Sequence, residues 1–260
     1  MSNNLYKGTA ILTIGLFLSK ILGVIYIIPF YSMVGEENIG LYQYAYIPYN
    51  LMLAVAISGA PLAFSKFVSN YETGRSLLKS GLMAMIVTGF LSFLFLYFFA
   101  EPLARVTIAE DEKIYSVGDV TDAIQWVSFA LIAVPFMSLL RGFFQGYSFM
   151  MPTASSQLIE QIVRIIFLLG GTFLVLNVFG GTPKEAIQVA VLSAFVGALG
   201  GIVVLYYYWR KKKPEYDNLL EKSTASYDVN LKDMYKEILV YAIPVVFLGI
   251  ANPLFQFVDL

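Results

Sequence analysis

Hydrophobic residues in this chain run in long blocks, punctuated by charge only every twenty or more positions. Between Lys7 and Glu36 the one charge is Lys20, and the intervals from Glu37 to Lys66, Lys79 to Glu101 and Asp122 to Arg141 hold none. From Arg141 to Lys184 only Glu160 and Arg164 interrupt, and the stretches from Glu185 to Arg210 and Glu237 to Asp259 are again uncharged inside. A helix rises 1.5 Å per residue, so a hydrocarbon layer of roughly 30 Å needs about 20 apolar residues. The pattern therefore predicts seven membrane helices, near 10–33, 39–64, 78–100, 123–145, 153–178, 186–209 and 238–260. The first is expected to be a retained span, because its apolar run is too long for a cleaved leader, holds a central lysine and lacks a small-residue exit.

Composition agrees with lipid as the solvent. Of 260 residues 58% are hydrophobic and 13% charged, with mean hydropathy +0.71, whereas a soluble domain carries about 25% charged residues. There is no Cys and no His, which removes thiol nucleophiles, Ser–His–Asp triads, disulfides and the usual zinc sites. No G-x-x-x-x-G-K-[ST] loop offers a phosphate cradle. A transport or structural role without covalent chemistry, resident metal or cofactor is the expectation, leaving a Na+ or H+ gradient or the membrane potential to drive any transport. Net charge is −1, which gives no case for a nucleic-acid partner.

Where the charges fall is more informative. With the N-terminus in the cytoplasm the inner flanks carry twelve Lys and Arg, among them Lys7, Arg75, Lys79, Arg141 and the run Arg210-Lys211-Lys212-Lys213. The outer loops carry Arg105, Lys113 and Lys184, alongside Glu110, Asp111, Glu112 and Asp119. This lopsidedness predicts an inside N-terminus in the cytoplasmic membrane. The polar interval 210–237, opening just after Tyr206-Tyr207-Tyr208-Trp209, reads as an interfacial anchor on anionic lipid.

Several residues within the spans ask for more than lipid. Gly15, Ser19 and Gly23, and likewise Ser193, Gly197 and Gly201, repeat every four positions and let helix backbones approach closely. Pro29, Pro48, Pro61, Pro135, Pro244 and Pro253 interrupt helices, as hinges or as plain kinks. Lys20 lies about ten residues into the first span, where a lysine costs roughly 3 kcal/mol, so it should face a wet cavity suited to an anion, or a buried partner. Gln157, Glu160, Gln161 and Arg164 fall at i, i+3, i+4 and i+7 on one face, with Glu160 and Arg164 spaced for an ion pair. Such a stripe should line an aqueous interior. Arg141, at the inner end of the fourth span, reads as a boundary arginine meeting headgroup phosphates. Tyr42, Tyr44, Tyr46 and Tyr49 suit either an interfacial aromatic belt or a platform for sugar.

Ser19-Lys20-Ile21-Leu22-Gly23 with Pro29-Phe30, then Arg141-Gly142-Phe143-Phe144-Gln145-Gly146, then Ser156-Gln157 through Glu160-Gln161-Ile162-Val163-Arg164, together resemble bacterial polysaccharide-biosynthesis flippases of the MOP superfamily. The likeness is to the MurJ-like branch with YtgP and stage V sporulation protein B, and it covers essentially the whole chain. The resemblance implies an all-α polytopic membrane protein: a six-helix N-terminal lobe of a MATE/MurJ-like fold over 1–209, a cytoplasmic basic linker over 210–237, and the first helix of a second lobe over 238–260. It implies export of an undecaprenyl-linked glycan such as lipid II by alternating access, beside membrane lipids and the cell-wall synthesis machinery. Substrate-binding residues would be Lys20, Arg141, Gln157, Glu160, Gln161 and Arg164, with Lys20 matching a required first-helix cation. Tyr26 stands where a second first-helix arginine is expected, and Leu51-Met52-Leu53 where the second helix has arginines, which leaves room for another lipid-linked glycan. Asp259 resembles a seventh-helix aspartate used for sodium. A cation-coupled MATE-type drug antiporter and a non-transporting scaffold or inactive half-protein remain the alternatives, since family members are about twice this long.

Overall fold

The computed structural model describes residues 2–57, 75–108, 114–211, 213–222 and residue 240, and every regular element among them is helical. α1 (Ser2–Ile25) passes directly into α2 (Ile27–Val34), and a short turn leads to α3 (Ile39–Ile57). α4 (Arg75–Phe98) is followed by α5 (Ala100–Thr107), and α6 (Val117–Ser128) by α7 (Ala130–Gly146). α8 (Met150–Phe173) ends in a π-turn over Leu174–Val178, then come α9 (Pro183–Lys211) and α10 (Lys213–Lys222). Among the described residues, five segments are long and apolar enough to cross a membrane: Ala10–Val34, Gly81–Phe98, Val117–Gly146, Met150–Val178 and Pro183–Lys211. The chain is a multi-pass helical membrane protein. The seventh expected span, apart from residue 240, lies outside the described residues, as do Asp259, Pro61, Pro244, Pro253 and the end of the second span.

The sequence explains the breaks. α1 stops at Ile25 because Pro29 has no N–H to return to the carbonyl four residues earlier, and Phe30 N bonds Tyr26 O instead at 3.1 Å. Pro48 and Pro135 sit within α3 and α7. Gly35, at φ 82°, turns the chain between α2 and α3, a conformation open chiefly to glycine. The fourth span starts earlier than the hydrophobic block, because Ser116 and Asp119 form a reciprocal capping box at Val117, which satisfies orphan N–H groups. Lys184 bonds that same Asp119 at 2.6 Å, tying the start of α9 to the start of α6.

In lipid no hydrophobic drive presses apolar faces together, so close packing and polar contacts must hold the helices. Small residues do much of this. A side chain at Gly197 would sit 2.9 Å from the carbonyl of Glu160, and one at Gly201 would sit 3.1 Å from Ser156 Oγ, so α9 lies tight and antiparallel against α8. On the other side of α8, Gly15 faces Ala154 and Gly23 faces Gln161, which sets α1 parallel to it. Residues such as Leu41, Ile124, Leu131 and Ile187 fill the interior between α3, α6, α7 and α9.

Candidate functional site

A cavity of about 600 Å³ opens between α1 and α8, with the end of α7 behind it. Lys20, Arg141, Gln157, Glu160, Gln161 and Arg164 all line it; Leu16, Ser19, Gly23 and Val24 complete the α1 wall, and Tyr26 adds to it from the break before α2. The four α8 residues arrive there by helical spacing alone. Arg141 arrives because Gly201 leaves room: a Cβ on that glycine would stand 3.2 Å from the guanidinium.

The ion pair differs from the one expected. Glu160 Oε2 takes its bond from Arg141 Nη2 at 2.7 Å, not from Arg164 one helical turn away. Arg164 is wedged against Gly197 and turned to α3, where Nη2 donates to Tyr46 Oη at 2.6 Å and Tyr42 Oη at 3.3 Å. Its guanidinium also lies 5.5 Å from the Tyr46 ring centroid, within cation–π range. Shared helix spacing brought Glu160 and Arg164 to one face, but tertiary partners on α3 and α7 outcompeted the i,i+4 contact.

Arg141 is also not a boundary arginine. Its side chain is 13% exposed, and its Nε and Nη2 reach Ser156 Oγ at 3.2 and 2.8 Å. Ser156 in turn donates to Gly201 O at 3.0 Å. That uses both lone pairs and the single proton of the hydroxyl, so three helices meet at one saturated serine. The tyrosines form no interfacial belt either: Tyr44 and Tyr49 are buried, and Tyr42 and Tyr46 stack at 4.6 Å while holding Arg164. Sequence reasoning missed the roles of Ser156 and of the Tyr42–Tyr46 pair as an arginine clamp; the i,i+4 spacing of the two tyrosines was the available signal.

The electrostatics follow. Lys20, Arg141 and Arg164 contribute three positive charges and Glu160 one negative, so the lining carries a net charge of +2. Lys20 makes no hydrogen bond or ion pair among the described residues. Gln157 Oε1 and Arg164 Nε are buried without a protein partner, groups that water or a ligand in the cavity must satisfy. Such a site suits an anion with several acceptor oxygens. Among the described residues no group of acidic side chains is placed to hold a metal ion.

Residues 5–260 match the family described as polysaccharide biosynthesis protein. The chain belongs to that family. It is 45% identical to the lipid II flippase MurJ of Bacillus subtilis (strain 168) over 266 residues, 100% of this chain and 49% of that protein. Stage V sporulation protein B of the same organism is 30% identical over 216 residues, 80% of this chain and 39% of that one. The chain therefore spans about half the length, or less, of those curated relatives. Among solved structures, an outward-facing multidrug resistance MATE transporter of the MOP superfamily superposes with TM-score 0.71 at 14% identity, covering 97% of this chain and 55% of that one. A MOP superfamily transporter from Pyrococcus furiosus Vc1 (DSM3638), described by the reverse polarity of its binding pocket, gives 0.65 at 14% identity over 97% and 54%. At that identity the likeness is one of fold, and it places the family's helices in a MATE-like arrangement.

Proposed function

We propose that this chain is the N-terminal half of a flippase that moves an undecaprenyl-linked cell-wall precursor, lipid II or another lipid-linked glycan, across the cytoplasmic membrane by alternating access. The observation that carries the reading is the net positive cavity, and the 45% identity to a lipid II flippase across this whole chain supports it. Lys20, a compact and unpaired ammonium, attracts the cargo's pyrophosphate. Arg164, held through Nη2 by neutral phenols, keeps its full charge and leaves its remaining N–H groups, the unpartnered Nε among them, for phosphate oxygens. Gln157 and Gln161 offer amide groups to sugar or peptide. With Arg141 assigned to the cavity, eleven inner against three outer basic flanking residues support a cytoplasmic N-terminus. In that orientation an inside-negative potential favours outward passage of a dianion by about 4–5 kcal/mol per 100 mV, which makes the potential a sufficient drive beside any Na+ or H+ gradient.

A drug antiporter for cations needs a free carboxylate in the cavity. Glu160, the carboxylate that lines it, is already bound to Arg141. The deciding experiment is Lys20→Ala in a strain depleted of its lipid II flippase. Loss of complementation at unchanged membrane level is expected; wild-type growth would remove Lys20 from the site and, with it, this mechanism.

A further inference from the structure

On the side of the bundle away from the cationic cavity, a second pocket of about 270 Å³ lies between α4, α7 and α9. Leu78 and Leu82, Phe136 and Leu140, and Ile202 and Trp209 line it, and its wall is nearly all carbon. At roughly 30 Å³ per water-sized group the volume holds about nine such groups, the bulk of half an acyl chain. The pocket is therefore too apolar for sugar, pyrophosphate or a bare ion.

Its rim is different. Tyr206 also lines the pocket, and the Arg210 guanidinium stands 5.8 Å from the Tyr206 ring centroid. Lys79, next to the lining Leu78, is exposed on α4. Two cations, Arg210 and Lys79, thus stand at one end of a greasy slot, with Trp209 anchored beside it by Phe143 at 5.2 Å and Phe144 at 6.5 Å. That juxtaposition complements a molecule with an anionic head and an apolar tail.

We propose that this slot binds one acyl chain of an anionic glycerophospholipid of the surrounding membrane, with the headgroup phosphate against Arg210 and Lys79. The site is independent of the cargo, and does not rest on the flippase reading. A lipid held here ties α4 to α9 at the membrane face where α10 begins.

The chain has two tryptophans, so Trp126→Phe leaves Trp209 as the reporter. In nanodiscs of mixed lipid, phosphatidylglycerol brominated on its acyl chains should quench Trp209 at a mole fraction about five- to tenfold lower than brominated phosphatidylcholine does. Arg210→Gln with Lys79→Gln should merge the two quenching curves, while Ile202→Phe, which fills the slot and leaves the charges, should weaken quenching by both. Equal curves for the two lipids in the parent protein would mean an ordinary annular position and overturn the proposal. Displacement of phosphatidylglycerol by undecaprenyl phosphate at equal mole fraction would assign the slot to the cargo's carrier instead, and overturn it as well.

Discussion

Removing the Glu160 carboxylate and removing its partner Arg141 should be strongly non-additive, because each single change strands the other charge. In Glu160→Gln, Arg141 keeps its Ser156 contact but loses the 2.7 Å bond that balances its charge. An uncompensated buried charge costs about 3–5 kcal/mol when fully enclosed. Here the side chains are 13% and 23% exposed at an open cavity, so water recovers part of that, and about 1–3 kcal/mol is the expected loss. Arg141→Gln leaves Glu160 similarly unpaired. The double variant has neither charge to strand, and its loss should fall short of the sum by about 1–2 kcal/mol. The assay is thermal unfolding in detergent, where each kcal/mol moves Tm by about 2–4 °C for a chain of this size. A matching cycle between Glu160 and Arg164 should show the smaller coupling, since no hydrogen bond joins them. Additive effects at 141 and 160, or a stronger coupling at 160 and 164, would refute the geometry on which the site is built.

Two further outcomes test the packing around that stripe. Tyr46→Phe should destabilise more than Tyr42→Phe, because Arg164 Nη2 lies 2.6 Å from one hydroxyl and 3.3 Å from the other, and hydrogen bonds to charged groups contribute about 1.5–3 kcal/mol; the same unfolding assay ranks them. Gly197→Ala should cost about 1–3 kcal/mol, since its new methyl would meet the unyielding Glu160 carbonyl at 2.9 Å, whereas Gly170→Ala meets nothing within 4 Å and should be neutral or stabilising.

The helical class was legible because lipid forces it: every backbone group in hydrocarbon must be satisfied within a helix, and charge-free blocks of about 20 residues have no other stable use there. The polar stripe on α8 was legible for a related reason, since period and burial cost act within one element. All six candidate site residues meet at one cavity. What the sequence hid was pairing between elements. Glu160 and Arg164 looked like partners because spacing within a helix is visible in a sequence, while the approach of Arg141 depends on Gly201 and Ser156 from two other helices. The break at Phe129 likewise has no local signal as plain as Pro29.

The same pairing decides which cation does the attracting. Glu160 cancels the charge of Arg141 across 2.7 Å, but the phenols around Arg164 are neutral and cancel nothing. The long-range pull on an anion therefore comes from Lys20 and Arg164. Swapping both members of the neutral pair, Arg141→Gln with Glu160→Gln, keeps the lining at +2, while Lys20→Gln or Arg164→Gln lowers it to +1. Two unit charges 4 Å apart interact by about 4 kcal/mol at an effective dielectric of 20, so even a partly screened loss should weaken binding of undecaprenyl pyrophosphate by tenfold or more, roughly. The neutral-pair double variant should bind within about threefold of the parent and keep its salt dependence, read by titration in detergent at two ionic strengths. If that double variant instead lost affinity as far as Lys20→Gln, the Arg141–Glu160 pair would be part of the grip on the phosphate, and the division of labour between the two arginines would be wrong.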